Sequence, residues 1–205
     1  MLISTFTLQL WAHLLLKRFY FTNTIEVPKI GRSNFNLKTM ATITLGGNTT
    51  HTSGELPKVG TAAPDFKLAS KDLAQVSLEH YKGKRIVMNI FPSVDTGVCA
   101  ASVRHFNKDA AALDDTAVLC ISRDLPFAQA RFCGAEGLDN VETLSDFKDG
   151  SFGKDYGLEI ADGAFAGLHS RVVLVLDADH NIIYEEQVPE IGQEPDYEAA
   201  LSVLN

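Results

Sequence analysis

The chain has 205 residues, 45% hydrophobic and 21% charged, with 26 acidic against 18 basic side chains and a net charge of −8. That length supports one domain with a full core, and the acidic balance excludes a surface built on phosphate contacts, which need clustered Lys and Arg; no nucleic-acid partner is expected. Three cysteines without a C-x-x-C pair suit neither a secreted disulfide scaffold nor a structural zinc site, so they read as free thiols in a reducing compartment.

Residues 1–39 are a different kind of sequence. They hold five Lys/Arg and one Glu, which leaves 13 basic and 25 acidic residues, net −12, in 40–205. Residues 2–16 form an apolar stretch of 15 followed by Lys17 and Arg18, short of the ~20 residues a membrane span needs. The stretch also lacks the leading charge and small-residue cleavage site of a signal peptide. It reads either as a weak anchor with its basic pair in the cytoplasm or as sequence upstream of a start at Met40. We favour the second, because domain patterning begins abruptly after Met40. The expected organisation is an N-terminal extension over 1–39 outside the mature fold and one domain over 40–205. The expected setting is cytoplasmic, with no stable membrane association.

From Met40 onward, 41–45 and 49–52 are β-formers around Gly46-Gly47-Asn48, a β-hairpin. Residues 55–64 form a linker punctuated by Pro57, Gly60 and Pro64. Short strands are expected at 66–68 and 75–78, and a buried one at 85–91, an apolar run closed by Pro92. A helix over roughly 96–112 follows, with Ser93 and Asp95 as available N-caps. Residues 116–122 make a second buried strand, and Pro126 to Phe132 a short helix ending at Gly134. Beyond it come a strand at 141–144, a helical turn at 152–156, a hairpin of 172–177 and 182–184, and a closing helix from Asp196 to Leu204. This order predicts an α/β, thioredoxin-like fold: a central mixed sheet flanked by helices, with an N-terminal β-hairpin.

Cys99 then falls in the first turn of a helix leaving the C-terminal end of a central strand, where open α/β sheets place ligand sites. Unpaired N–H groups and the helix dipole favour a thiolate at such a position. Thr96 can turn its hydroxyl toward the sulfur or a bound oxygen. A buried, inert cysteine fits the same spacing equally well.

Pro92 and Thr96 to Cys99 match the P-x-x-x-(T/S)-x-x-C signature of peroxiredoxins. The wider strings NIFPSVDTGVCAASVRHFN, LCISRDLPFAQARFCGAEGL and EPDYEAALSVL closely resemble the bacterial thiol peroxidases, the atypical two-cysteine peroxiredoxins, from about Met40 to Asn205. The resemblance implies a thioredoxin-dependent peroxidase that reduces hydrogen peroxide and organic hydroperoxides without a cofactor or metal. It implies Cys99 as the peroxidatic thiolate, oxidised to a sulfenic acid, and Cys133 as the resolving cysteine of an intramolecular disulfide. Thr96 would bond the sulfur and the peroxide, Pro92 would shield the sulfur, and Arg171 would hold the thiolate and polarise the O–O bond. The family is homodimeric, and an isologous dimer is expected here.

Cys133, placed after a short helix and before Gly134-Ala-Glu-Gly137, is expected near the surface. Because disulfide Cβ atoms approach to roughly 4 Å, the helix ends carrying the two cysteines are expected to unravel in each cycle. Cys120, inside an apolar strand, reads as core. Competing readings are a cysteine hydrolase using His169, a redox sensor that passes its oxidation to a partner, and a thioredoxin-like binding module. The acidic residues Glu185, Glu186 and Glu190 to Asp196 read as a solvated face.

Overall fold

The computed structural model describes residues 39–204; apart from Thr39, the extension expected over 1–39 lies outside the described residues. Two sheets are present among the described residues. β1 (Thr42–Leu45) and β2 (Asn48–His51) form a separate antiparallel hairpin. The main sheet contains β3 (Leu68–Ala69), β4 (Gln75–Val76), β5 (Arg85–Ile90), β6 (Thr116–Ser122), β7 (Glu142–Ser145), β8 (Val172–Leu176) and β9 (Ile182–Gln187). Their spatial order is β4-β3-β7-β6-β5-β8-β9. β5, β6 and β7 run parallel, whereas β8 is antiparallel to β5, so the sheet is mixed.

The α-helices among the described residues are α1 (Gly97–Ala110), α2 (Pro126–Glu136), α3 (Ser151–Asp155) and α4 (Tyr197–Ser202). β5 is flanked on both edges and buried on both faces, which is why it reads as a continuous apolar run. The period of two still divides its side chains. Ile86, Met88 and Ile90 join Phe152 and Tyr156 around α3, while Val87 joins Phe106 of α1 and Ala200 of α4. The result is helices on both faces of the sheet, as the sequence order predicts.

Several boundaries differ from expectation. The strand expected at 66–68 is Leu68–Ala69. The one expected at 75–78 stops at Val76, because Leu78–Tyr81 turn into a 3-10 helix that starts from Ser77, whose N–H donates to His80 Nδ1 at 3.1 Å. α2 continues past Phe132 to Glu136 and is closed by Gly137 in the left-handed region, φ 67°. Among the described residues no helix is long and apolar enough to cross a membrane.

Candidate active site

The site grows from the C-terminal end of β5. Phe91 and Pro92 are buried, and the turn after them is pinned by a residue beyond the neighbouring strand β6. Ser93 Oγ donates to Asp124 Oδ1, and the Val94 N–H donates to Asp124 Oδ2, both at 2.7 Å. The N-cap of α1 is Thr96, with φ −107° and ψ 146°, rather than Ser93 or Asp95. Its hydroxyl donates to the Ser93 carbonyl at 2.9 Å, so a lone pair of Oγ1, and not its proton, is free for a further bond. Cys99 is the third residue of α1 and is 1% exposed.

Arg171 comes to the same place from the start of β8, because Val172 pairs with Ile90 at the end of β5. Its guanidinium, 2% exposed, donates from Nη2 to Cys99 Sγ at 3.3 Å and from Nε to the Ile191 carbonyl at 2.9 Å. Nη1 is buried without a protein partner. The Arg171 carbonyl accepts from the Val188 N–H and from Gln187 Nε2, each at 3.0 Å, which ties this residue to the strap following β9. A buried guanidinium donor left open costs free energy unless something binds it.

Pro92, Thr96, Cys99 and Arg171 line one cavity of about 160 Å³, walled on the apolar side by Leu45 and Phe165. Four of the five residues singled out in the sequence therefore converge. The sulfur sits at the first turn of a helix with a guanidinium on it, the environment that suits an attacking thiolate. Arg171 Nη1 keeps donor capacity that the protein does not use, and Thr96 Oγ1 a lone pair, on two residues that line this cavity.

Cys133 is elsewhere. It lies in the last turn of α2 rather than after the helix, and its carbonyl accepts from the Gly137 and Leu138 N–H groups. The helix runs through Gly134 because that glycine is not in the left-handed region; Gly137 is. The half-buried thiol opens on a different cavity, of about 550 Å³, with Ser70, Asp72, Leu138 and Glu142 among its walls. Burial, and then the charge of Asp139, push the Cys133 thiol up from its ordinary value. Arg104 of α1 grips Glu136 beside it through two bonds of 2.9 Å, so the two cysteine-bearing helices are tied together.

Cys120 is fully buried in β6, in the apolar cluster that also holds Cys99. Burial pushes its thiol up to about 12, only partly offset by Asn89 Nδ2 at 3.6 Å. His169 is fully buried with Nε2 3.0 Å from Asp146 Oδ2, which also accepts the Gly153 N–H. That ring forms a pair with Asp146, not a cysteine–histidine dyad. Sequence reasoning missed Asp124. Asp124 stands just past the C-terminal end of β6, the same sheet edge that placed Cys99, and that was its available signal.

Comparison with known proteins gives the family of the chain. Residues 58–201 match the Redoxin family model. Thiol peroxidases of Mycobacterium bovis and Mycobacterium tuberculosis are 59% identical over 165 residues, 80% of this chain and 99% of theirs. Among solved structures, a peroxiredoxin-like protein from Aquifex aeolicus is 36% identical with a TM-score of 0.76, covering 80% of this chain and 96% of its own. A thiol peroxidase from Chromobacterium violaceum, 22% identical with a TM-score of 0.74 over 80% of this chain and 94% of its own, shares the fold. The chain belongs to the thiol peroxidase family of redoxin-fold proteins and is a thiol-dependent peroxidase.

Proposed function

We propose that Cys99 is the nucleophile of this peroxidase and that Cys133 resolves it. The Cys99 thiolate attacks the terminal oxygen of a hydroperoxide. An S–O bond forms, the O–O bond breaks, and the leaving oxygen departs as water or alcohol after taking a proton. The observation that carries this reading is Arg171, which lines the Cys99 cavity with Nη2 on the sulfur at 3.3 Å and Nη1 buried without a protein partner. O–O cleavage builds negative charge on the leaving oxygen, and a donor already in place lowers that barrier because it need not reorganise. Thr96 Oγ1, its proton committed to Ser93, accepts the peroxide's hydrogen. Pro92, buried at the cavity wall, keeps bulk water from the sulfur.

The sulfenic acid on Cys99 is then attacked by the Cys133 thiolate, the S–S bond forms, and water leaves. With the two thiols on separate cavities, the first turn of α1 and the last turn of α2 must unravel for this bond to close. A thioredoxin-type dithiol reduces the disulfide and restores both thiols. The protein works as a homodimer in the cytoplasm: Leu125 and Phe127, at the start of α2, are 52% and 62% exposed and suit an isologous contact, and the thiols are all free. Sedimentation of Phe127→Glu as a monomer, against a dimeric parent, supports that assembly; a monomeric parent rejects it.

Turnover of hydrogen peroxide and cumene hydroperoxide with a thioredoxin system tests the whole reading. The parent turns over both, and Cys99→Ser turns over neither. Residual peroxide-dependent oxidation of the reductant by Cys99→Ser above a few per cent rejects Cys99 as the nucleophile.

A further inference from the structure

One carboxylate in the acidic segment that the sequence reads as solvated is fully engaged. Glu190 Oε1 accepts the Gly46 N–H at 2.9 Å and the Gly192 N–H at 3.0 Å, while Oε2 accepts the Gly47 N–H at 3.0 Å and the Thr44 hydroxyl at 2.9 Å. Four donors fill the lone-pair directions a carboxylate offers. Gly46 and Gly47 form the tip of the β1–β2 turn, with φ of 58° and 78° that aim successive N–H groups at one acceptor. The N–H groups of Gly47, Gly192 and Gly46, with Thr44, hold the carboxyl down at about 2.

What this carboxylate fastens is the back of the site. The strap after β9 crosses β1 through two backbone bonds: the Thr44 N–H to Pro189 at 2.7 Å and the Ile191 N–H to Thr44 at 2.9 Å. Glu190 sits between them. Ile191 is 2% exposed, packs with Ile43 and Ile160, and presents its carbonyl to Arg171 Nε. Leu45 and Phe165, which lean on the same small cluster, wall the Cys99 cavity. The chain of contacts therefore runs from the hairpin tip through Glu190 and Ile191 to the guanidinium, and from there to Cys99 Sγ.

We propose that Glu190 is a positioning residue of the peroxide step, which locks the hairpin to the strap and so holds the Ile191 carbonyl where it orients Arg171 on the sulfur. The proposal rests on the role given above to Arg171. A guanidinium has several rotamers, and its Nη2 meets Cys99 only while Nε is fixed. A carboxylate held by three backbone N–H groups and a hydroxyl adds four directional bonds to the two backbone bonds of the strap, and fixes that carbonyl more stiffly than the apolar contacts of Ile191, because each bond fixes direction as well as distance.

The test compares Glu190→Gln with the parent, with Glu79→Gln as an exposed-carboxylate control, and with the same change in an Arg171→Met background. Glutamine keeps the shape but turns an NH2 toward N–H donors. The expected result is a KM for hydrogen peroxide raised on the order of tenfold, as misplacement of a reacting group gives. The kcat, set by resolution and reduction, stays within twofold, and Arg171→Met suffers no further loss from the second change. Folded Glu190→Gln with the parent's KM overturns the proposal, as does an equal loss in both backgrounds. Should Glu190→Gln not fold, Thr44→Val removes one of the four bonds; a KM raised severalfold supports the proposal, and an unchanged KM overturns it. Arg171→Met with full activity defeats the Arg171 reading itself, a result distinct from failure of Glu190 alone.

Discussion

Gly134 stands next to Cys133 inside α2, and its replacement by alanine probes the step that brings the two sulfurs together. A Cβ built at Gly134 meets nothing within 4 Å, and its backbone is not left-handed, so alanine fits without strain. Glycine in a helix interior weakens the helix by about 0.5–1 kcal/mol relative to alanine. With RT near 0.59 kcal/mol, removing that weakness lowers the ratio of unravelled to helical last turn by about two- to fivefold. If Cys133 reaches the Cys99 sulfenic acid through the unravelled turn, disulfide formation slows by the same factor. The longer-lived sulfenic acid then gives more sulfinic acid at high peroxide. Rapid quenching with an alkylating reagent, followed by mass spectrometry, reads the disulfide directly, while the peroxide step in the same experiment keeps its parent rate. A Gly134→Ala protein that melts higher yet closes its disulfide at the parent rate refutes the unravelling argument.

The opposite perturbation is Glu136→Gln, which removes the charge and one of the paired bonds to Arg104 and should speed disulfide closure; added salt should speed closure in the parent and do less to the variant. Arg171→Met should slow sulfenic acid formation by about 10²- to 10³-fold, the effect of losing a preorganised donor, and competition kinetics against a second peroxidase would measure it; a loss under threefold rejects the role. Cys120, with its thiol held near 12 by burial, should resist iodoacetamide in the folded protein at pH 8 while Cys133 reacts, and Cys120→Ser should keep near-normal turnover. Asp162, held at about 2 by the Thr50 hydroxyl and His51, and Glu190, also at about 2, have folded values below their ordinary ones. Their stabilisation is complete above the ordinary carboxylate range and is lost as pH falls from about 4.5 toward 2. Acid titration followed by circular dichroism should show a transition there that Asp162→Asn and Glu190→Gln make shallower.

The thioredoxin-like order, β5, and the convergence of Pro92, Thr96 and Cys99 were legible because each depends on local pattern: an apolar run, a proline stop, a cysteine at a helix start. Arg171 was legible through resemblance alone, since nothing in its own neighbourhood announces that Val172 pairs with Ile90. The end of α2 was misread because two glycines, Gly134 and Gly137, both offer a stop, and the choice turns on which adopts positive φ. Glu190 was hidden for a deeper reason. Its four donors come from a hairpin more than 140 positions away and from its own turn, so its chemistry exists only after the chain has folded. The acidic residues around it give the pattern of a solvated face, and pattern cannot separate one engaged carboxylate from its exposed neighbours.

That Cys99 takes the peroxide oxygen and Cys133 resolves it is a proposal about which sulfurs react. One equivalent of hydrogen peroxide added to the reduced protein, followed by peptide mapping with a sulfenic-acid-specific probe present, tests it directly. The expected products are a Cys99–Cys133 disulfide in the parent and a probe adduct on Cys99 in Cys133→Ser, with Cys120 unmodified in both. An adduct on Cys133 in the parent, or a disulfide through Cys120, would contradict it.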